Sequence, residues 1–237
     1  TTAHTFNVLP SAYAVADAIV RYAAEGKHAS LSLLYPGDEY GEENRIAVGE
    51  SAKSLGMPLI SIEKYMRGSA DLRAQILKFK ADGSGAVVVV AYGPDYAVFL
   101  KQAKELGLGK PLFAVSNIQT PDAAQASAET GQRIWYSYPA ASDFPSVISF
   151  AAAYRARHAG AGAFVPMYVG SGYDALTMLA AALGECGDVP ECVNGYFRAV
   201  RGYPGANGPI TFDARGNNGV AGGVEIRVLE NGKFAAL

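Results

Sequence analysis

The hydrophobic pattern is organised around one stretch, Leu31 to Glu43. Leu31, Leu33 and Leu34 form a short apolar run of strand length. Pro36-Gly37-Asp38 carries turn chemistry, because Pro fixes φ and Gly admits positive φ. Glu42 and Glu43 then fall in the first turn of a helix, where negative charge suits the helix dipole. The turn therefore sits at the carboxyl end of a strand, the edge at which open α/β sheets bind ligands.

The rest of the chain repeats this unit. Phe6 to Pro10 reads as extended, and Val15, Ala18, Ile19 and Tyr22 give one apolar face to a helix from about Ala12 to Ala24. After the Leu31 strand, Val48, Ala52 and Leu55 mark a helix that stops at Gly56. Met57 to Ile62 reads as a strand, and Asp71 is placed to cap a helix whose face is Leu72, Ile76 and Phe79. Ala86 to Ala91 is apolar throughout, as a parallel strand covered on both faces should be. Pro94 opens the next helix, with Phe99, Ala103 and Leu106 inward, and Gly107 ends it. Pro111 to Val115 is a strand, an Ala-rich helix follows, and Ile134 to Tyr138 is another strand. Such alternation means a parallel, doubly wound α/β sheet.

After Pro139 the pattern changes. Pro145 to Arg157, Pro166 to Leu183 and Val193 to Val200 read as helices with no strand between them. Short β segments return at Pro209 to Phe212 and Val224 to Leu229, and Asn231-Gly232 signals a hairpin turn. Three amphipathic helices without a sheet of their own need something to cover. Together with a first residue that is Thr, not Met, this leads to the expectation that part of the protein precedes Thr1.

Composition narrows the function. The net charge is −2 over 237 residues, with no block of Lys and Arg, which argues against nucleic acid as a partner. No apolar run reaches membrane-spanning length. Phosphate-binding loops and nucleophile elbows are absent, Gly83-Ser84-Gly85 precedes its strand, and His4, His28 and His158 have no metal-ligand spacing. No enzyme, cofactor or metal site is expected. Cys186 and Cys192 flank a helix-to-helix turn; in an exported protein they would close a small disulfide, and otherwise they are two thiols.

Three strand exits fall on one edge: Tyr35, Asp38 and Tyr40, then Tyr92 and Gly93, then Ser116 and Asn117. Each is followed by a helix N-terminus, which suits an anionic group such as a carboxylate. Phenol rings, an amide and helix N-termini make a binding site without a nucleophile. The 14 Tyr fit this reading, since Tyr is broad and rigid with a polar tip.

Several segments carry a resemblance along nearly the whole chain. They are Tyr35-Pro36-Gly37-Asp38-Glu39-Tyr40-Gly41, Gly68-Ser69-Ala70-Asp71-Leu72, Val90-Ala91-Tyr92-Gly93-Pro94, Leu100 to Gly107, Gly172-Tyr173-Asp174-Ala175 and Gly208 to Asn217. In these the chain resembles the leucine/isoleucine/valine-binding-protein-like solute receptors of ABC transporters, which have the type I periplasmic binding fold. The resemblance implies two lobes that close on a small ligand in the cleft between them and deliver it to a membrane permease. It implies that residues 1–139 form most of the C-terminal ligand-binding lobe, 140–220 the helical part of the N-terminal lobe, and 221–237 return strands to the C-terminal lobe. It also implies that the first half of the N-terminal lobe lies before Thr1, and that the protein is exported to the periplasm or held outside the cell. Tyr40 and Tyr92 match the family's aromatic ligand contacts. Asn117 stands where amino-acid-binding members place a Glu for the ligand's ammonium group. The expected ligand is thus a small carboxylate-containing molecule: an amino acid, an aromatic acid or an amide, with Asp38 as a substitute acid if an ammonium is present. A ligand-sensing domain of the same fold, acting in signalling, is the alternative.

Overall fold

The computed structural model describes residues 4–140, 144–159, 166–219 and 223–237. The chain divides into two compact units, one of Ala12–Tyr138 with Ile226–Leu237 and one of Thr1–Ser11 with Pro139–Glu225.

The first of these is an α/β unit. Helix α1 (Ala12–Glu25) leads to strand β2 (Leu31–Pro36), α2 (Glu39–Ser54), β3 (Leu59–Tyr65) and α3 (Arg73–Ala81). There follow β4 (Ala86–Val89), α4 (Gly93–Glu105), β5 (Leu112–Val115), α5 (Pro121–Thr130) and β6 (Ile134–Tyr138). Strands β10 (Glu225–Glu230) and β11 (Lys233–Ala236) complete a seven-stranded sheet in the order β11-β10-β6-β5-β4-β2-β3. The pairs β2–β3, β2–β4, β4–β5 and β5–β6 are all parallel. Every residue of β2, β4 and β5 is buried, which is why these segments read as unbroken apolar runs. Ser32 is the polar exception inside β2. Its hydroxyl donates to Asp82 Oδ2 at 2.5 Å, while Lys110 Nζ donates to Asp82 Oδ1 at 2.8 Å, to Ser84 Oγ at 2.9 Å and to the Phe79 carbonyl. Burial opposes the charge on Asp82, and the bonds from Lys110, Ser32 and Ser84 more than offset it, holding the carboxyl well below its usual range.

Several elements differ from their sequence reading. The apolar run at Ala86 pairs only as far as Val89; Val90 and Ala91 stay buried while the chain turns out towards α4. The strand expected from Met57 begins at Leu59, opposite Leu31, and runs on to Tyr65. Asp71 does not cap α3: Leu72 holds the cap position, and Asp71 Oδ1 instead accepts from the Arg73 N–H two residues on, at 3.0 Å. The hairpin turn between β10 and β11 forms at Asn231 and Gly232, both at positive φ, as the Asn-Gly pair requires.

Among the described residues, the second unit contains α6 (Pro145–Arg157), α7 (Pro166–Cys186) and α8 (Pro190–Ala199) with four short strands. Strands β7 (Tyr203–Gly205) and β8 (Gly208–Ile210) form an antiparallel hairpin. Strand β1 (Asn7–Pro10) runs parallel to β9 (Asn217–Asn218). Residues 1–11, expected with the α/β lobe, fall in this unit because of that pairing and because Phe6 lies 5.1 Å from the rings of both Phe197 and Phe212. The boundary expected at 220/221 lies outside the described residues. A small core joins Met178, Ala182, Phe197, Ile210 and Phe212. Cys186 and Cys192 are joined in a disulfide at the α7–α8 turn. Among the described residues, no helix is long and apolar enough to cross a membrane.

Candidate functional site

The order of the parallel strands sets where a site can form. From β2 the chain moves to one side for β3 and to the other for β4, so the connections diverge between the carboxyl ends of β2 and β4. A crevice outside the strand ends at such a switch point is the usual ligand position in an open α/β sheet.

Asp38 and Tyr40 leave β2, and Tyr92 leaves β4, at this point. Asp38 is the N-cap of α2, with extended backbone, and its Oδ1 accepts from the Gly41 N–H at 2.9 Å. Gly41 is required here. A Cβ would lie 1.7 Å from the Pro36 carbonyl oxygen, so only glycine lets the first turn of α2 fold back on the end of β2. Tyr92 is the N-cap of α4, and its hydroxyl donates to Asp38 Oδ2 at 2.9 Å. Tyr40 and Tyr92 face one another with ring centroids 5.1 Å apart and planes inclined by 44°. Burial raises the Tyr92 phenol above its ordinary value, and the bond to the Asp38 carboxylate adds to the rise, so the phenol stays a donor.

Gly93, Ser116 and Asn117 have different roles. A Cβ at Gly93 would come 2.3 Å from Thr120 Cγ2, so Gly93 allows the start of α4 to lie against the cap of α5. Ser116 and Asn117 are consecutive non-glycine residues at positive φ, 21° and 51°. Asn tolerates this region better than most side chains, and each such residue stores about 1–3 kcal/mol of strain. The bend is held from below. Tyr96, fully buried on α4, donates to the Val115 carbonyl at 2.8 Å and lies 3.3 Å from that of Ser116. The Ser116 N–H also bonds the Ser137 carbonyl at 3.1 Å. The structure thus brings Asp38, Tyr40 and Tyr92 into direct contact and holds Ser116 and Asn117 on the neighbouring exit.

Arg67, two residues beyond β3, escaped the sequence reading. Its guanidinium lies over the Tyr92 ring, 3.8 Å from the centroid. The available signal was an Arg-Gly-Ser turn directly after a strand of the same parallel set. The exits of β2 and β3 are themselves tied, the Gly37 N–H donating to the Tyr65 carbonyl at 2.8 Å. The disulfide cysteines and His158 belong to the second unit, while His28 belongs to the α/β unit. His28 packs edge-on to Phe113 and His158 lies 4.6 Å from Tyr154.

Comparison with known proteins fits this architecture. Residues 1–233 match the family described as "Periplasmic binding protein", and the chain belongs to that family. A leucine-, isoleucine-, valine-, threonine- and alanine-binding protein of Pseudomonas aeruginosa is 23% identical over 193 residues, covering 81% of this chain and 51% of the relative. The crystal structure of a leucine-binding protein, LivK, from Thermotoga maritima superposes with a TM-score of 0.84 at 19% identity, over 97% of this chain and 66% of that one. A type 1 periplasmic binding protein from Bordetella pertussis gives a TM-score of 0.81 at 21% identity, over 95% and 66%. The chain thus spans about half the length of this curated relative and about two thirds of these solved ones. All three are named as binding proteins. The fold is that of the type I periplasmic binding proteins.

Proposed function

We propose that the protein is an extracytoplasmic solute-binding protein of an ABC-type uptake system. It takes a small carboxylate-containing ligand (amino acid, aromatic acid or amide) at the exits of β2 and β4 and passes it to a membrane permease. The observation that carries this reading is the Tyr40–Tyr92 pair at the switch point, fixed by the bond from Tyr92 to Asp38. Two rigid phenols hold a small apolar body at low entropic cost, and the adjoining helix N-termini and polar groups orient its charged end. Nothing in this set is arranged as a nucleophile with its base, so the chemistry is binding. The name of the Pseudomonas relative supports amino acids as the first ligands to try. The Cys186–Cys192 disulfide supports an oxidising compartment outside the cytoplasm.

The test is a thermal-shift screen with branched-chain and aromatic amino acids, aromatic carboxylates, keto acids and short amides. A ligand at about 100 times its Kd adds about 2.7 kcal/mol, which raises Tm by roughly 5–10 °C for a protein of this size. A rise with one chemical group of the panel is the expected result. No rise with any compound rejects the reading.

A further inference from the structure

We infer that Arg67 reads the ligand's negative charge at this edge and makes the site prefer a carboxylate over the corresponding neutral amide. The inference rests on reading the exits of β2 and β4 as a solute site, and it adds a residue and a charge preference to that reading.

Arg67 is exposed, but the loop that carries it is held in place. Its neighbours on both sides are bonded to one carboxylate on α4. The Tyr65 hydroxyl donates to Asp95 Oδ2 at 2.8 Å, and the Gly68 N–H donates to Asp95 Oδ1 at 3.3 Å. Asp95 is buried, at 4% exposure, in the first turn of α4, three residues after the cap Tyr92. The loop that carries Arg67 is therefore anchored to the helix turn that carries Tyr92. That anchoring lays the guanidinium on the phenol face. A guanidinium stacked on a ring keeps its N–H fork at the edges, free to grip a carboxylate with two parallel bonds.

The hydrogen bonds around it sort the charged groups by role. Asp38 spends one oxygen on the Gly41 N–H and the other on the Tyr92 hydroxyl. Asp95 spends both on Tyr65 and Gly68. The two acids bonded into this frame therefore already hold it together. Arg67, in contrast, forms no ion pair with a carboxylate among the described residues, whose pairs involve other cations. A ligand arriving at the Tyr40–Tyr92 pair meets a cation that has no carboxylate partner among the described residues, beside acids whose oxygens already accept bonds that hold the frame. A carboxylate gains a charge-assisted bond there that an isosteric amide cannot match.

The test is titration calorimetry on the wild-type protein, Arg67→Gln and Arg67→Lys, with matched probes. These are benzoate and benzamide, 4-methylpentanoate and its amide, and leucine and leucinamide. The Tm of each unliganded variant checks that it is folded. The wild type is expected to bind at least one carboxylate more tightly than its amide. Arg67→Gln should weaken that carboxylate by roughly 10- to 100-fold and leave the amide unchanged. Arg67→Lys should recover part of the loss, since lysine keeps the charge without the fork. Carboxylate affinity unchanged in Arg67→Gln overturns the role of Arg67 and leaves the solute site standing. An equal loss for carboxylate and amide also overturns it, since Arg67 would then only be packing on Tyr92. Tighter binding of the amides by the wild type does the same. Absence of binding by every probe removes both the inference and the site on which it rests.

Discussion

The two units bury their apolar residues in different ways. In the α/β unit, β2, β4 and β5 are covered at every residue, and the helix faces around Ile19, Ile76 and Phe99 are fully buried. In the other unit, the 21-residue α7 buries a narrow stripe of Met167, Gly170, Asp174, Met178 and Ala182. Its Leu176, Leu179 and Leu183 remain 69%, 41% and 45% exposed. One of those stripe positions is a carboxylate. Asp174 is 2% exposed, and both its oxygens accept from the Ala206 N–H, at 2.8 and 2.9 Å. The first unit is thus held by a continuous apolar core with a part-buried ionic cluster at Asp82 and Lys110. The second relies on local fastenings: a disulfide, a buried carboxylate and the aromatic cluster at Phe6, Phe197 and Phe212.

This contrast is open to direct attack, and the largest effect is expected in the α/β unit. Lys110→Met leaves the part-buried Asp82 and the buried Ser84 without their cation. Solvent screening of the part-buried pair brings the expected cost below that of a fully buried one, to about 2–3 kcal/mol in a urea unfolding curve. The folded-state pKa of Asp82 is depressed, so its contribution is complete above the usual carboxylate range near pH 4 and is lost as pH falls through the folded value. Lys110→Met should accordingly flatten the acid limb of the stability–pH profile.

In the helical unit, replacing both Cys186 and Cys192 with Ser opens a loop with a sequence separation of only 6, and should cost about 2 kcal/mol. Local hydrogen exchange should rise at the α7–α8 turn and stay unchanged in β2 and β4.

A smaller effect is expected at Asp174, whose carboxyl is raised by burial and only partly restored by the backbone N–H groups of Ala206 and Asn207. Because its folded value lies above its unfolded one, its contribution is fully present below the unfolded pKa. It is then lost as pH rises through the folded value. Asp174→Asn should remove that decline, leaving the variant relatively more stable at neutral pH than in acid. Thermal unfolding from pH 4 to 7 reads this directly.

The smallest effect belongs to Leu176→Ser on the exposed face of α7, which should change the unfolding free energy of this chain by less than about 0.5 kcal/mol. A loss of several kcal/mol there would mean that the face is covered in solution, which would weaken the contrast between the units.

The same contrast explains what the sequence made legible. The parallel sheet could be read because strands covered on both faces must be apolar throughout, and because Gly56 and Gly107 punctuate the helices at positive φ. Ile134–Tyr138 and Pro145–Arg157 appear with the bounds expected from their patterns. The short strands at Tyr203–Gly205 and Asn217–Asn218 could not be read, since two or three residues carry no period. The placement of residues 1–11 was equally hidden, because it depends on pairing across more than 200 positions, such as the 2.8 Å bond from Asn7 to Asn217.

At the candidate site, the exits bearing Asp38, Tyr40 and Tyr92 were legible from strand–turn–helix alternation alone. Their mutual geometry was not. The Tyr92–Asp38 bond, the strain at Ser116 and Asn117, and the stacking of Arg67 all depend on which strands are neighbours in the sheet. Gly93 was read as part of a ligand edge, while its geometry answers to Thr120.

The measurement that tests the central claim most directly is amide hydrogen exchange, with and without the carboxylate that gives the largest thermal shift. Slowed exchange is expected at residues 38–42, 66–69, 92–96 and 116–118, the four exits around the switch point. Ligand-induced protection elsewhere, with these four segments unchanged, would contradict a site built on Tyr40, Tyr92 and Arg67.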